Sequence, residues 1–251
     1  METRSSIIRP LYIAEVERKF QSKERESSGL YNAGDIGKCP RAAYYNRAVK
    51  HKLIPYAPPP LPIQWKFNQG LIVEAILGDA LKAKYENLES QVRFTNTEHQ
   101  IAGVVDYKVA TLGVECKAQM SKAWDWAKKA ATPFKPFQVA QLAYYLHFSG
   151  LGLTEARLFV SAYDAFPMID EYVVEDTEVW QLLPDGSSMW FKNRWTKDAL
   201  AFEAERRAAW WDRKELPPDD VKRDKDECWQ CKFCSFAAIC SENNNPLLNK
   251  E

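Results

Sequence analysis

A pair of carboxylates with a neighbouring lysine is the part of this chain whose residue types could do chemistry. Asp106 comes shortly before Glu115-Cys116-Lys117, and Glu74 lies upstream. Two carboxylates held close together repel each other, which favours a divalent cation bound through oxygen, such as Mg²⁺ or Mn²⁺. Such a cation polarises a phosphodiester and lowers the pKa of a bound water, while a lysine steadies the charge on the phosphate. The pattern therefore favours phosphodiester hydrolysis.

The apolar sequence around these acids distinguishes them from ordinary surface charges. Asp106 ends the largely apolar run 101–106, and Glu115 follows the apolar residues 112–114. An acid that interrupts a buried strand is costly unless it is paired or bound to a metal. Side chains alternate along a strand, so Glu115 and Lys117 share one face. We expect the Asp106 carboxylate to converge with that of Glu115 across a hairpin.

Two helices supply further candidate residues. Gln141 and Tyr145 stand four residues apart, so they share one helix face. The amide could hold a carboxylate or a substrate phosphate, and the tyrosine could stack on a base or bond a phosphate. Glu74 comes one turn after Gly70. We expect Glu74 to reach the metal through the gap that this glycine leaves.

Cysteines near the end of the chain form a second candidate site. Cys228, Cys231, Cys234 and Cys240 are closely spaced, and the first residues of the chain do not resemble a secretory signal. Metal ligation is therefore favoured over disulfides. The alternatives are a buried reduced cluster, a tetrahedral zinc site and a [4Fe–4S] cluster, which also needs four thiolates. The fourth thiolate of such a cluster is either Cys228 or the distant Cys39.

Apolar periodicity predicts the elements that position these residues. Their order fits an α/β fold with a mixed central β-sheet flanked by helices. Helices are expected at about 10–26, 65–85, 121–130, 137–148 and 188–213, and strands at about 91–95, 100–109, 113–117, 156–162 and 169–174. A hairpin turn at 111–113 would bring Asp106 and Glu115 together. Cys116 is expected to lie in the core.

Length, composition and charge restrict the classes of protein that fit. The 251 residues, 46% of them hydrophobic, suffice for one full-sized domain. No apolar run approaches the roughly 18 residues of a membrane span, so we expect a cytoplasmic protein without a membrane partner. The formal net charge is zero. This weakens the case for non-specific nucleic-acid binding but is compatible with a local basic groove.

Together these motifs resemble those of the PD-(D/E)xK nuclease superfamily, and in particular its RecB-like and Cas4-like exonucleases. The matching motifs, in the family's order, are Gly70-x-x-x-Glu74, Gly103-x-x-Asp106, Glu115-x-Lys117 and Gln141-x-x-x-Tyr145. The resemblance covers roughly residues 39–240 and implies a restriction-endonuclease-like core. It implies that Asp106 and Glu115 bind Mg²⁺ or Mn²⁺ and that Lys117 is catalytic. Gln141 and Tyr145 would support the site and the DNA.

One position departs from the pattern of this branch. RecB-like and Cas4-like nucleases usually have a metal-binding histidine where this chain has Glu74, and none of His51, His99 and His147 stands there. Other members of the superfamily use a glutamate at this place. Glu74 is therefore assigned to the metal site together with Asp106 and Glu115.

The same resemblance favours Cys39 as the fourth cluster ligand. In these nucleases an upstream cysteine, followed by a short basic segment, joins three C-terminal cysteines around a [4Fe–4S] cluster. The predicted ligands are Cys39, Cys231, Cys234 and Cys240, with Cys228 as the alternative fourth ligand and Zn²⁺ as the alternative metal. We expect one nuclease domain over residues 1–251, with its core at about 65–213. An iron–sulfur-stapled subdomain would combine residues from about 30–62 with 214–242.

The predicted function is that of a metal-dependent DNA exonuclease. It would act at DNA ends or single-stranded tails in recombination, repair or DNA processing, with a helicase or recombination protein as a further partner. Candidate DNA contacts are Arg41, Lys122 and Tyr145. The alternatives are a structure-selective or restriction-type endonuclease on the same core and a non-catalytic, zinc-bound DNA-binding module.

Overall fold

A computed structural model gives the conformation of most of the chain. It describes residues 27–55, 61–127, 132–165, 168–218, 231 and 234–248. The helix expected at about 10–26 and the alternative ligand Cys228 lie outside these ranges. Every helix within them is too short or too polar to cross a membrane.

A mixed eight-stranded sheet is the centre of the fold. Its strands are β1 (Tyr31–Asn32), β2 (Leu88–Asn96), β3 (Ile101–Val109), β4 (Leu112–Gln119), β5 (Glu155–Ala162), β6 (Ile169–Val174), β7 (Glu178–Leu182) and β8 (Ser188–Lys192). Strands β2 to β8 are neighbours in chain order, and β1 lies beside β3. The pairs β1–β3 and β4–β5 are parallel, and the other pairs are antiparallel. The predicted mixed sheet of an α/β fold is confirmed.

Helices lie on both faces of this sheet. They are α1 (Pro40–Lys50), α2 (Leu61–Lys84), α3 (Lys122–Ala127), α4 (Pro136–Phe148), α5 (Lys197–Asp212) and α6 (Ala237–Ser241). In β4, Glu115 contacts Gln141 of α4, whereas Ala118 lies beside Gly70 of α2. Successive side chains of a strand point to opposite faces, so α4 and α2 cover opposite sides of β4. Residues 138–145 of α4 are all buried, which makes this helix the centre of the main core.

The hydrogen-bond ladder along one edge of β3 is interrupted in its middle. β1 pairs with Ile101 and Ala102, and β4 pairs with 107–109 on the same edge, because β2 occupies the other edge. The residues between them, 103–106, have no partner strand on this edge in the described part of the chain. A Cβ at Gly103 would lie 2.6 Å from the Phe94 ring, so close packing here requires glycine. This gap in the ladder leaves backbone groups of residues 103–106 available for hydrogen bonds with side chains.

Two local predictions differ from the structure. The N-terminal part of the helix predicted at 188–213 is wrong, since Ser188–Lys192 form β8, which pairs with an unpredicted strand, β7. The Asp185 carboxylate accepts a hydrogen bond from the Ser187 amide at 2.9 Å, which stabilises the turn between β7 and β8. Helix α5 begins only at Lys197, after the capping residue Thr196.

The second difference concerns the β3–β4 hairpin. Its turn is Ala110 and Thr111, because Leu112 already pairs with Val109. The other predicted strands and helices within the described ranges agree with the structure to within a few residues.

Candidate active site

Asp106 and Glu115 lie opposite each other where the β3–β4 ladder ends. The last paired residues are Tyr107 and Val114, so Asp106 and Glu115 are the next in register. No backbone pair forms between these two residues. Instead, the Cys116 amide donates a hydrogen bond of 2.8 Å to Asp106 Oδ2. The two strands therefore bring both predicted acids to the end of the ladder, where β3 and β4 separate.

Glu115 is buried and only partly satisfied. Its residue is 2% exposed. Oε1 accepts hydrogen bonds from Lys117 Nζ and from Gln141 Nε2, the latter at 2.7 Å. Oε2 is also buried and has no hydrogen-bond partner among the described residues. A buried carboxylate oxygen without a partner is costly, and a bound cation would satisfy it.

Gln141 and Tyr145 connect α4 to both strands. The Gln141 amide donates to Glu115 and also to the Tyr145 hydroxyl. That hydroxyl donates to the Val104 carbonyl at 2.9 Å, in the gap of the ladder. Tyr145 is 2% exposed. It therefore supports the site from within the core. Because Tyr145 is buried, its position does not support the predicted contact with DNA.

Glu74 approaches the site from α2. The Tyr107 hydroxyl donates to the Glu74 carbonyl at 2.6 Å, and a Cβ at Gly78 would lie 2.5 Å from that hydroxyl. Gly78 thus permits the close approach of α2 to β3. The gap expected at Gly70 is not required, because a Cβ there would meet Ala118 at an ordinary 3.9 Å.

Gln91 of β2 is a residue of this site that sequence reasoning missed. Its Nε2 donates to Glu74 Oε1 at 2.7 Å and lies 3.5 Å from Asp106 Oδ1. The sequence around Gln91 contains only a polar run at the start of a strand, which is a common pattern. Its role became visible only once the sheet placed it opposite Asp106.

The carboxylates of the site have raised pKa values. Burial raises the pKa of Glu115 to about 7; Lys117 opposes the shift and Asp106 adds to it. Burial also raises the pKa of Asp106, and burial together with Asp106 raises that of Glu74. Burial acts to lower the pKa of Lys117, but the combined attraction of Glu115 and Asp106 outweighs burial, so this pKa is raised. Burial therefore disfavours the charged form of all three carboxylates, and such perturbed pKa values are common at functional sites.

These donors suit a small divalent cation. Mg²⁺ is often bound through one or two carboxylates, with water and substrate oxygens completing its coordination. In the described part of the chain, no group of three or more His, Cys, Asp or Glu side chains is gathered for metal binding. Asp106 and the unsatisfied Oε2 of Glu115 are the oxygens that fit such a cation, and Glu74 lies at the edge of the site.

The second candidate site lies at α1. We call residues 231 and 234–245 the cysteine segment. Arg41 donates to the Pro217 carbonyl and to Asn243 Oδ1, both at 2.7 Å, and its Nη1 lies 3.9 Å from Cys240 Sγ. Cys39 is the capping residue at the N-terminus of the same helix. The segment with the C-terminal cysteines therefore lies against the helix that follows Cys39.

The thiols themselves are not gathered as a ligand set in the described residues. The Cys234 amide donates to the Cys231 carbonyl at 3.2 Å, so these two residues share a turn. Cys240 lies in α6. Ligation of a cluster by Cys39, Cys231, Cys234 and Cys240 stays a prediction, and so does the part of Cys228.

The structure also gives the positions of three further predicted residues. Cys116 is 8% exposed, which confirms its predicted place in the core. Lys122 is the exposed first residue of α3. The described contacts of Arg41 are within the protein, and its role as a DNA contact, like that of Lys122, stays a prediction.

Comparison with known proteins defines the fold alone. No family model matches this chain, and no curated protein matches it. The crystal structure of SSO0001 is similar, with a TM-score of 0.54, 17% sequence identity, and coverage of 94% of this chain and 96% of that chain. The two proteins therefore share a fold over nearly their whole lengths.

Proposed function

We propose that this protein is a metal-dependent deoxyribonuclease of the PD-(D/E)xK type that acts on DNA ends or single-stranded tails. The observation that carries the proposal is Glu115, a buried carboxylate with one oxygen held by Lys117 and Gln141 and the other without a partner. A carboxylate in this state, next to a second carboxylate, favours a bound cation. The lysine that contacts it favours a substrate with negative charge.

Each residue would have a distinct part in hydrolysis. Asp106 and Glu115 would hold Mg²⁺ or Mn²⁺, which when bound polarises the phosphodiester and lowers the pKa of a water. The Lys117 side chain contacts Glu115 and is 28% exposed, so it is partly open to solvent. Its ammonium would stabilise charge on the phosphate. Gln141 and Tyr145 would keep Glu115 in place.

The restriction-endonuclease-like core and the iron–sulfur subdomain are parts of the same proposal. A mixed sheet with helices on both faces and acids at the end of one strand pair is compatible with that core. For the cluster, the supporting observation is that Arg41 of α1 contacts Cys240 and Asn243 of the cysteine segment. A [4Fe–4S] cluster ligated by Cys39 would join the N- and C-terminal parts across the core.

A cleavage assay with matched lysine variants tests the activity. The substrates are end-labelled linear DNA and closed circular DNA, each with Mg²⁺ or Mn²⁺. Lys117→Met is expected to lose cleavage, whereas Lys108→Met, which removes a lysine paired with Glu89 at 2.5 Å, is expected to retain it. Circular dichroism checks that both variants fold. Cleavage of linear DNA by Lys117→Met would contradict the mechanism. Cleavage of circular DNA by the wild-type protein would identify an endonuclease.

Metal analysis of protein purified without oxygen tests the cluster. We expect the wild-type protein to contain iron and sulfide and to show broad absorbance near 400 nm. Cys39→Ser should lose the iron, the sulfide and this absorbance. Cys116→Ser is the matched control, because this cysteine is buried in β4 and belongs to neither α1 nor the cysteine segment. A colourless protein that contains zinc and cleaves neither DNA would instead support the non-catalytic module.

A further inference from the structure

Gln91 has a backbone conformation that is unusual for its residue type. It is exposed, and its φ is 53°. A side chain in this left-handed region costs about 1–2 kcal/mol. The neighbouring pairs are Ser90 with Tyr107 and Val92 with Val105, so Gln91 stands opposite Asp106 in the register of β2 and β3. Strain of this kind persists where the surrounding structure requires it, which is often at functional sites.

The contacts of the Gln91 side chain show what this conformation achieves. Its amide nitrogen lies between two carboxylates from different elements, at 2.7 Å from Glu74 Oε1 on α2 and 3.5 Å from Asp106 Oδ1 on β3. The two carboxylates repel each other, since Asp106 contributes to the raised pKa of Glu74. A donor between them offsets part of that repulsion, as a cation would.

A second observation supports a cation in this part of the molecule. Glu115, next in register to Asp106 on the other side of β3, has a buried Oε2 without a partner among the described residues. The side chains of Gln91, Asp106 and Glu115 therefore come from three adjacent strands, and Glu74 adds a carboxylate from the helix. An amide also has an oxygen, so it can serve carboxylates as a donor and a cation as an acceptor.

We propose that Gln91 is a positioning residue of the cation site, whose strained backbone directs its amide to Glu74 and Asp106 and keeps both carboxylates directed at one divalent ion. This inference rests on the proposed function, because it assigns a part in that function to a residue outside the four sequence motifs. Residues that orient metal ligands typically change metal affinity by about 10–100-fold when they are removed.

Mn²⁺ binding measured by calorimetry, without DNA, tests the inference. Gln91→Gly removes the amide and also relieves the left-handed strain, so the melting temperature of the metal-free protein should be equal or higher. Its affinity for Mn²⁺ should fall about tenfold or more. Gln91→Met, which keeps a side chain of similar length, should show the same loss of affinity.

Gln100 provides a matched control. It also has a positive φ, of 54°, and its amide also donates to a carboxylate, Asp212 Oδ2 at 2.9 Å, away from the site. Gln100→Gly should therefore resemble Gln91→Gly in melting temperature but bind Mn²⁺ like the wild-type protein. An equal loss of affinity in Gln100→Gly would show a general effect of strand flexibility and overturn the inference.

The remaining outcomes separate this inference from the proposed function. If both Gln91 variants bind Mn²⁺ like the wild-type protein while Glu115→Gln does not, the positioning role is wrong and the cation site stands. If the wild-type protein binds no Mn²⁺, both the role of Gln91 and the proposed function are overturned.

Discussion

The carboxylate site and the cysteine segment are held by different kinds of contact. At the carboxylate site, side chains bond one another across adjacent strands and α4, as Glu115 does with Lys117 and Gln141. The cysteine segment is held by hydrogen bonds from side chains of α1, mainly to backbone carbonyls and asparagine side chains. Tyr45, for example, donates to the Asn244 carbonyl at 3.0 Å. In the first region the side chains fix one another, whereas in the second region it is the chain segment that is fixed.

This difference indicates how each region depends on a metal. The carboxylate site is formed by sheet register and helix packing, so a cation would bind between side chains that hydrogen bonds already hold. The cysteine segment is docked on α1, but its thiols form no ligand group in the described residues. A cluster there would contribute to folding as well as occupy a site. Metal removal should therefore leave the carboxylate site folded but destabilise the cysteine segment.

The largest expected effect is that of Glu115→Gln on cleavage. The change keeps the shape of the side chain and an acceptor for Lys117 and Gln141, but it removes the charge that would hold the cation. We expect cleavage to fall about 10³-fold or more, since metal catalysis contributes several kcal/mol to transition-state stabilisation. Rates of DNA hydrolysis at saturating Mg²⁺ measure this effect. If this variant cleaved DNA at the wild-type rate, Glu115 would not hold a catalytic cation, and the proposed difference between the two regions would be wrong.

The next effect concerns the cysteine segment. Cys240→Ser should destabilise the protein by about 3–5 kcal/mol, because the proposed cluster would link Cys39 to Cys240 and close a very long loop. Denaturant unfolding together with iron content measures this loss. Mn²⁺ binding at the carboxylate site should persist in the folded variant, because that site is built without the cysteines. A variant as stable as the wild-type protein would show that no cluster holds the two ends together.

A pH dependence should distinguish the carboxylate site in the metal-free protein. Folding raises the pKa of Glu115 from 4.5 to about 7, so the folded state binds this proton more tightly. The resulting stabilisation is complete below pH 4.5 and is lost as the pH rises through about 7. Between those limits the wild-type protein should lose roughly 3 kcal/mol relative to Glu115→Gln. Unfolding free energies of both proteins at pH 4 and pH 8 test this, and a constant difference would contradict it.

The smallest effect separates two basic residues that sequence reasoning assigned to DNA. Arg41→Gln should cost about 1–2 kcal/mol of stability, because it removes hydrogen bonds to Pro217 and Asn243. Lys122→Gln, at an exposed position, should leave stability nearly unchanged and weaken DNA binding in a salt-dependent way. Thermal unfolding and binding titrations at two salt concentrations measure both. If Arg41→Gln weakened DNA binding without loss of stability, Arg41 would belong to a DNA surface instead.

Much of the fold was predictable because its apolar periods are strong. The strand Ile169–Val174 agrees with its predicted bounds, and the helix predicted from residue 137 begins at Pro136. Prediction failed at 188–213, where one polar and aromatic stretch contains a strand, a loop and a helix. Local composition there does not distinguish an edge strand from an exposed helix face. The pairing of β8 with β7 is a tertiary contact that decides between them.

The sequence by itself determined which acids interrupt apolar strands and that Glu115 and Lys117 share a face, because side-chain alternation is a local property. Only the tertiary structure decided that β1 and β4 share an edge of β3, which opens the gap where Tyr145 bonds Val104. It alone also placed Gln91 between Glu74 and Asp106. These contacts join residues far apart in the chain, and their geometry depends on strand register and helix packing rather than on local sequence.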